Sequence, residues 1–423
     1  MELMILVLLS LAVMSPLFLV FKAGDVAGIY SPTVLIIALE IFGVLVQSIY
    51  ISLEDSSFEM LMSIYPAFFL VLIFNIFYVL GFLAKFNGGG WSLLPVGFFS
   101  NRWARLGIIT LSLYLVYDFI SIFNIFSGAG FSAKRFMLEG GVEYSYSYLR
   151  VGADIILVAG LVGFAKYLEE KRLVLLVASV FSLVGAVLFY WFVSSRASLG
   201  IALLSYFMVY QFYNRKAIFS QFFRNASIFF LVLVGFSVMA SIRAEKGGEV
   251  NEAMIGHGVD AQVSQVFSGN YFFTINKAAK AVAEVDSFEE YKLGLTLLSP
   301  LYFFVPRTIW KDKPPVRFGE IFSREVFKRP GASGIPPSFP VELYWNFGWL
   351  GVGGGALALG AICRSSVKSN CLKRNEIDAS INASIFSCFF IIPLMTNDFA
   401  NGVISYFVAM VVAVIFKTKG LVS

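Results

Sequence analysis

The sequence predicts an all-α polytopic membrane protein of about eleven transmembrane helices, within a range of about ten to twelve, and one long loop carrying short helices. Three observations lead there. Of its 423 residues, 58% are hydrophobic, 17% aromatic and only 14% charged, whereas an average soluble domain carries about a quarter charged residues. Apolar runs recur that are long enough to cross roughly 30 Å of hydrocarbon, which takes about 20 helical residues. No run alternates with the period of a barrel strand, so backbone polar groups can be satisfied in lipid only within helices.

The runs fall near 2–22, 32–53, 60–84, 104–128, 149–168, 173–193, 198–213, 226–242, 343–364, 380–396 and 400–416. The first carries Glu2 where a signal peptide has positive charge, and no small-residue cleavage site precedes Lys22, so it reads as a retained first helix. The short run 198–213 begins just above Arg196. The chain therefore reads as one integral membrane domain over 1–423, with 243–342 inserted as a long loop. Within that loop Arg243 to Gln265 is polar and Gly-rich, and Tyr271 to Val285 has the apolar spacing of a helix. Leu293 to Val305 is strongly apolar but too short to span, which suits a re-entrant or surface-lying helix held against the bilayer. Seven prolines from Pro306 to Pro340 interrupt regular structure in the remainder of the loop.

Short-loop charge sets the expected orientation. Lys85 with Arg102 and Arg105, Lys166 with Lys171 and Arg172, Arg215 with Lys216 and Arg224, Arg364 to Arg374, and Lys417 with Lys419 share one side if helices alternate. By the positive-inside rule that side is cytoplasmic, so the N-terminus, the 243–342 loop and the Asn397 turn lie outside. The net charge of +5 is then largely loop bias, and no basic-aromatic pattern for reading bases is present. Cys363 and Cys371 fall on the inner side and Cys388 within a helix, leaving no outer disulfide framework. The glycine run Gly351 to Gly355 suits close helix packing, because no P-loop lysine follows it.

The most informative segment is Leu297 to Trp349. It crowds Arg307, Lys311, Lys313, Arg317, Arg324, Lys328 and Arg329 against Asp312, Glu320, Glu325 and Glu342. Cations in a membrane-embedded chain must face water or an anion, and the planar fork of arginine matches phosphate oxygens. A membrane protein handling a phosphorylated ligand at one face is the first reading.

Two strings in this segment carry a family resemblance. Val305-Pro-Arg-Thr-Ile-Trp-Lys-Asp-Lys-Pro314, followed by Pro336-Pro-Ser-Phe-Pro-Val-Glu-Leu-Tyr-Trp-Asn-Phe-Gly-Trp-Leu-Gly351, resembles the Wzy-type O-antigen or oligosaccharide repeat-unit polymerases. Ser194-Ser-Arg196 is similar to that family's Ser-Arg turn, with Ala197 where the family typically has glycine. The resemblance implies a multi-pass protein of the bacterial inner membrane with its active site facing the periplasm. It implies a glycosyltransferase of polysaccharide and lipopolysaccharide biosynthesis that moves a growing glycan from undecaprenyl diphosphate to an incoming undecaprenyl-diphosphate-linked repeat unit. Lipid-linked glycans would be its partners, together with the chain-length regulator and flippase of the same pathway, with no nucleic acid and no cofactor. A ligase that moves finished glycan to a lipid core, and a lipid-linked oligosaccharide flippase or transporter, are the alternatives.

Such a transfer needs a diphosphate leaving group stabilised and an acceptor hydroxyl activated. No Asp-x-Asp triplet for a metal occurs, so preorganised guanidiniums are the expected substitute. Arg196, Arg243, Arg307, Lys311, Lys313 and Arg317 are the diphosphate candidates, although Arg196 and Arg243 at helix ends also suit snorkelling and the lysines suit a solvated face. Glu342 is the candidate base, with charge complementing a helix N-terminus as its bland role. His257, the only histidine, is a weaker candidate in a Gly-His-Gly loop. Tyr344 and Asn346 are the acceptor-sugar candidates. Glu40, Asp118 and Asp154 lie within spans, where structural pairing competes with function, and the pairing expected for Asp118 and Asp154 is with arginines of the site's rim.

Overall fold

In the computed structural model the described residues are 2–22, 32–54, 58–84, 143–192, 196–213, 275–285, 291–303, 305, 309–310, 312–314, 318–326, 328, 337–372 and 376–418. They are predominantly helical, with no strand among them. In chain order the helices are α1 (Glu2–Lys22), α2 (Pro32–Glu40), α3 (Gln47–Glu54), α4 (Phe58–Leu83), α5 (Glu143–Glu170), α6 (Leu173–Phe192) and α7 (Arg196–Tyr213). After these come α8 (Ile275–Glu284), α9 (Ser299–Phe303), α10 (Phe318–Glu325), α11 (Phe339–Leu372), α12 (Glu376–Ile385), α13 (Ile392–Thr396) and α14 (Phe399–Thr418). Two π-helical stretches, Ile41–Val46 and Phe386–Ile391, interrupt what the sequence reads as single spans. The second precedes Pro393, which has no N–H to give to the preceding turn.

Among the described residues six helical segments are long and apolar enough to cross a bilayer: Glu2–Val20, Pro32–Leu53, Met62–Leu83, Leu173–Tyr190, Phe339–Lys368 and Ile377–Thr396. Ser198–Gln211 and Phe399–Ile415 are shorter apolar helices. The expected spans near 104–128 and 226–242 lie outside the described residues, and the expected run 149–168 is the helix α5. In α6, Leu173, Val174, Val177, Val180, Phe181, Val184 and Leu188 are all exposed. An exposed apolar stripe along one face of a helix is unfavourable in water and at home in lipid.

The described chain divides into two compact units. One comprises 1–91, 263–372 and 389–404 and the other 92–262, 373–388 and 405–423.

In the first unit α4 and α11 form the principal pair, with α1 and α8 also packed on α4. The buried face of α4 runs through Ile64, Phe68, Val71, Phe74, Tyr78 and Phe82, a spacing of three and four that keeps one stripe inward. Gly81 and Gly360 make the crossing close: a Cβ at Gly81 would strike the Leu357 carbonyl, and one at Gly360 the Tyr78 carbonyl. Arg364, within α11, donates to the Phe82 carbonyl at 2.7 Å, which places its guanidinium beside the C-terminal end of α4.

In the second unit α5 packs on α6, and α7 on α5, α6 and α12. Several of its buried polar groups are paired across helices. Tyr190 donates to Asp154 at 2.5 Å, Tyr206 to the Ser179 carbonyl at 3.1 Å, and Ser384 to the Ser205 carbonyl at 2.9 Å. Asp154 therefore has a tyrosine hydroxyl among its partners. Asp118 lies outside the described residues.

Candidate functional site

The first unit contains a broken helix. α11 leaves helical geometry at Phe347 (φ −143°, ψ 16°) and Gly348 (φ 61°, ψ −150°) before resuming. The Gly348 angles belong to a region that only glycine occupies without strain, and a Cβ there would collide with the Tyr291 side chain. A break strands the carbonyls of the preceding turn, which lipid cannot hydrate. Segment 291–298 supplies the missing donors: the Lys292 N–H reaches the Trp345 carbonyl at 3.0 Å and the Leu293 N–H the Asn346 carbonyl at 3.1 Å.

The Asn346 side chain locks this arrangement. Its Oδ1 accepts from the Gly294 N–H at 2.9 Å, and its Nδ2 donates to Thr296 Oγ1 at 2.6 Å and to the Glu342 carbonyl at 2.8 Å. Segment 291–298 is thereby stitched to a long apolar helix at the break.

Glu342 lies one turn before Asn346 on the same helix face and is fully buried. Its Oε2 accepts from the Phe399 N–H at 2.6 Å, placing the carboxyl at the N-terminus of α14, where a helix favours negative charge. Its Oε1 is buried without a hydrogen-bond partner, and the nearby Thr296 hydroxyl, which accepts from Asn346, keeps its proton to offer the Glu342 carboxyl. A second carboxyl, that of Asp398, acts electrostatically on Glu342. Asp398 caps α14, accepting from the Asn401 N–H and from its side-chain amide, each at 2.8 Å. Because the Ser338 N–H also donates to the Asn397 carbonyl at 2.9 Å, the heads of α11 and α14 are joined at two points.

Ser338 Oγ and Trp345 Nε1 are likewise buried and unpartnered. Ser338, just before α11 with φ 79°, leaves a hydroxyl with hydrogen-bonding capacity unused, and Glu342 and Trp345, three positions apart on α11, leave a carboxyl oxygen and an indole N–H. That combination complements a ligand whose groups both donate and accept, such as the hydroxyls of a sugar. Over Trp345 lie Phe318 and Phe322 of α10, at ring-centroid distances of 5.5 and 5.3 Å. Lys292 holds this cover, pairing with Glu325 at 2.8 Å and lying 5.9 Å from the Trp345 ring centroid.

The structure treats the residues expected from sequence unequally. Glu342, Tyr344 and Asn346 fall together at the break. The Asn346 amide is used in pinning the loop, and Tyr344 is buried, its hydroxyl donating to the Val285 carbonyl at 3.4 Å and its ring edge-on to Trp349 at 4.9 Å. Lys313 is buried, with Nζ donating to the Phe303 and Val305 carbonyls at 2.9 and 2.8 Å. As placed here it closes the C-terminal end of α9 in the role of a capping cation. Arg196 is the first residue of α7. Arg243, His257, Arg307, Lys311 and Arg317 lie outside the described residues.

Sequence reading overlooked Asp398, Thr296, Ser338 and Trp345 as members of this cluster. Asp398 carries a legible signal, since an aspartate directly before an apolar helical run is a capping pattern. It also overlooked Lys277, which lies on the buried face of α8 beside Ile275, Ala278 and Ala281. Burial holds its ammonium well below the ordinary lysine value, at about 7. Ile275, at the start of the same helix, donates its N–H to Gln47 Oε1 at 2.9 Å, anchoring α8 to the head of α3.

No family model, curated protein or solved structure matches the chain.

Proposed function

We propose that the protein polymerises lipid-linked oligosaccharide repeat units at the periplasmic face of a bacterial inner membrane. As a metal-independent glycosyltransferase it transfers the growing glycan from undecaprenyl diphosphate to the sugar of an incoming undecaprenyl-diphosphate-linked unit. The observation that carries this reading is the buried Glu342 carboxyl with one oxygen unpartnered, at the head of a broken membrane helix and inside the string 336–351 that resembles the repeat-unit polymerases.

In this reaction a hydroxyl of the acceptor sugar attacks the anomeric carbon of the donor glycan, and the bond to the diphosphate oxygen breaks. Glu342 takes the proton of that hydroxyl, and the departing diphosphate leaves as an anion stabilised by Arg196 and Arg307, with Arg243, Lys311 and Arg317 as further cations. The break in α11 supports this assignment, because irregular backbone at membrane depth is tolerated where it is covered by protein or lines a site.

The test uses the purified full-length protein with a synthetic undecaprenyl-diphosphate-linked repeat unit and no added metal, with products sized on a gel. A ladder of multiples of the repeat unit is expected. Transfer only to an added lipid core acceptor would identify a ligase. Movement of the intact lipid across a vesicle membrane without new glycosidic bonds would identify a flippase.

A further inference from the structure

Apart from the broken helix, the first unit buries a second polar cluster. Glu40, the last residue of α2, is 1% exposed and Asn75, in the middle of α4, is 0% exposed. Asn75 Nδ2 donates to the Val13 carbonyl at 2.7 Å and to Glu40 Oε2 at 2.8 Å. Both partners are acceptors, so the amide nitrogen cannot be exchanged with its oxygen, and Asn75 Oδ1 takes no part in either bond. That oxygen and Glu40 Oε1 are both buried without a hydrogen-bond partner. No cation pairs with Glu40 among the described residues.

Two open acceptors on adjoining groups, one of them a carboxyl inside a membrane-spanning segment, call for one positive charge. The backbone is adapted at the same point, since the π-helical stretch Ile41–Val46 starts at the next residue, and such stretches recur at functional sites. The neighbouring polar groups are already occupied: Thr33 and Tyr78 hydroxyls are 2.8 Å apart, and Tyr78 also interacts with the Cys363 thiol. Tyr78 of α4 and Cys363 of α11 are the titratable groups that share this cluster. Between its ends α1 carries no titratable side chain, and α13 carries none.

We infer that Glu40 and Asn75 form a binding site for one small monovalent cation, a proton or a sodium ion, received between Glu40 Oε1 and Asn75 Oδ1 in the membrane-embedded core. The site is independent of the proposed transfer chemistry and shares no residue with it. Bound cation stabilises the fold, because the unfolded chain holds neither the pair nor the ion.

The experiment melts the purified full-length protein in detergent, in sodium chloride and in choline chloride at equal ionic strength, from about pH 6 to about pH 9. For the sodium ion, the wild-type melting temperature rises saturably, by roughly a few degrees, with sodium and not with choline at the alkaline end. For the proton, sodium has no effect, and part of the wild-type stability is lost as pH rises. In either case Glu40→Gln removes the response, because its amide supplies a donor and no charge. The response of Lys277 to pH is common to both proteins and cancels in the comparison. A wild type that responds to neither cation, or a Glu40→Gln protein that responds as the wild type does, overturns the site. Should Glu40→Gln fail to fold, Glu40→Asp decides: a retracted carboxylate should need more cation for the same shift, and an unchanged midpoint overturns the proposal.

Discussion

The Glu342 side chain and the Phe399 N–H, 57 positions apart, meet at 2.6 Å. One oxygen of the carboxyl is committed to holding the first turn of α14, which leaves the other available for chemistry. Glutamine preserves the acceptor oxygen that Phe399 needs and removes the basic one. Glu342→Gln is therefore expected to accumulate normally in the membrane while polymer formation falls by about 100-fold or more. Gel analysis of polymer together with a blot for abundance, in the same cells, checks this. Long-chain polymer at ordinary abundance would remove Glu342 from the reaction.

The break in α11 has its own prediction. Gly348→Ala forces a Cβ into Tyr291 and into a backbone region closed to alanine, so a destabilisation of about 2–3 kcal/mol or more is expected. Segment 291–303 should become sensitive to limited proteolysis as its bonds to Trp345 and Asn346 are lost. Gly354→Ala, where a Cβ meets nothing within 4 Å, is the control and should be near neutral.

Lys277 gives a pH dependence of known sign. Its folded-state value, about 7, lies below its ordinary value of 10.5, so between these limits the unfolded chain holds the extra proton and stability rises with pH. Below about pH 7 both states are protonated and the burial penalty is present in full. Lys277→Met should raise stability at and below neutral pH by an amount on the order of a few kcal/mol and flatten the rise between the two limits. Melting curves across that range measure it, and an unchanged slope would mean that the ammonium is solvated in solution.

Arg196 and Arg307 are proposed to stabilise the departing diphosphate, which demands both charge and fork geometry. Arg307→Ala should lower the transfer rate by about 100- to 1000-fold, with Arg307→Lys recovering only part of the loss. The same order is expected at Arg196. Initial rates of polymer formation at fixed protein give the comparison. Equal rates for lysine and arginine at either position would reduce its role to a point charge.

The sequence by itself determined the class of the fold. Long apolar runs such as 2–22, 173–193 and 380–396 can satisfy their backbone in lipid only as helices, and helices occupy them. α8 was legible from its apolar spacing and the start of α11 from Pro340 at the edge of an apolar run. Glu342 and Asn346 stood out because they lie inside the string 336–351 that resembles the repeat-unit polymerases. The tertiary structure decided which groups meet. Nothing in the local pattern could bring Asp398 and the Phe399 N–H to Glu342, or Thr296 to Asn346, because these contacts bridge 50 or more positions and depend on how α11 and α14 are joined. The break at Phe347–Gly348 was equally illegible, since glycine in a membrane helix usually serves close packing and becomes a hinge only when another segment, here 291–298, takes up the freed carbonyls.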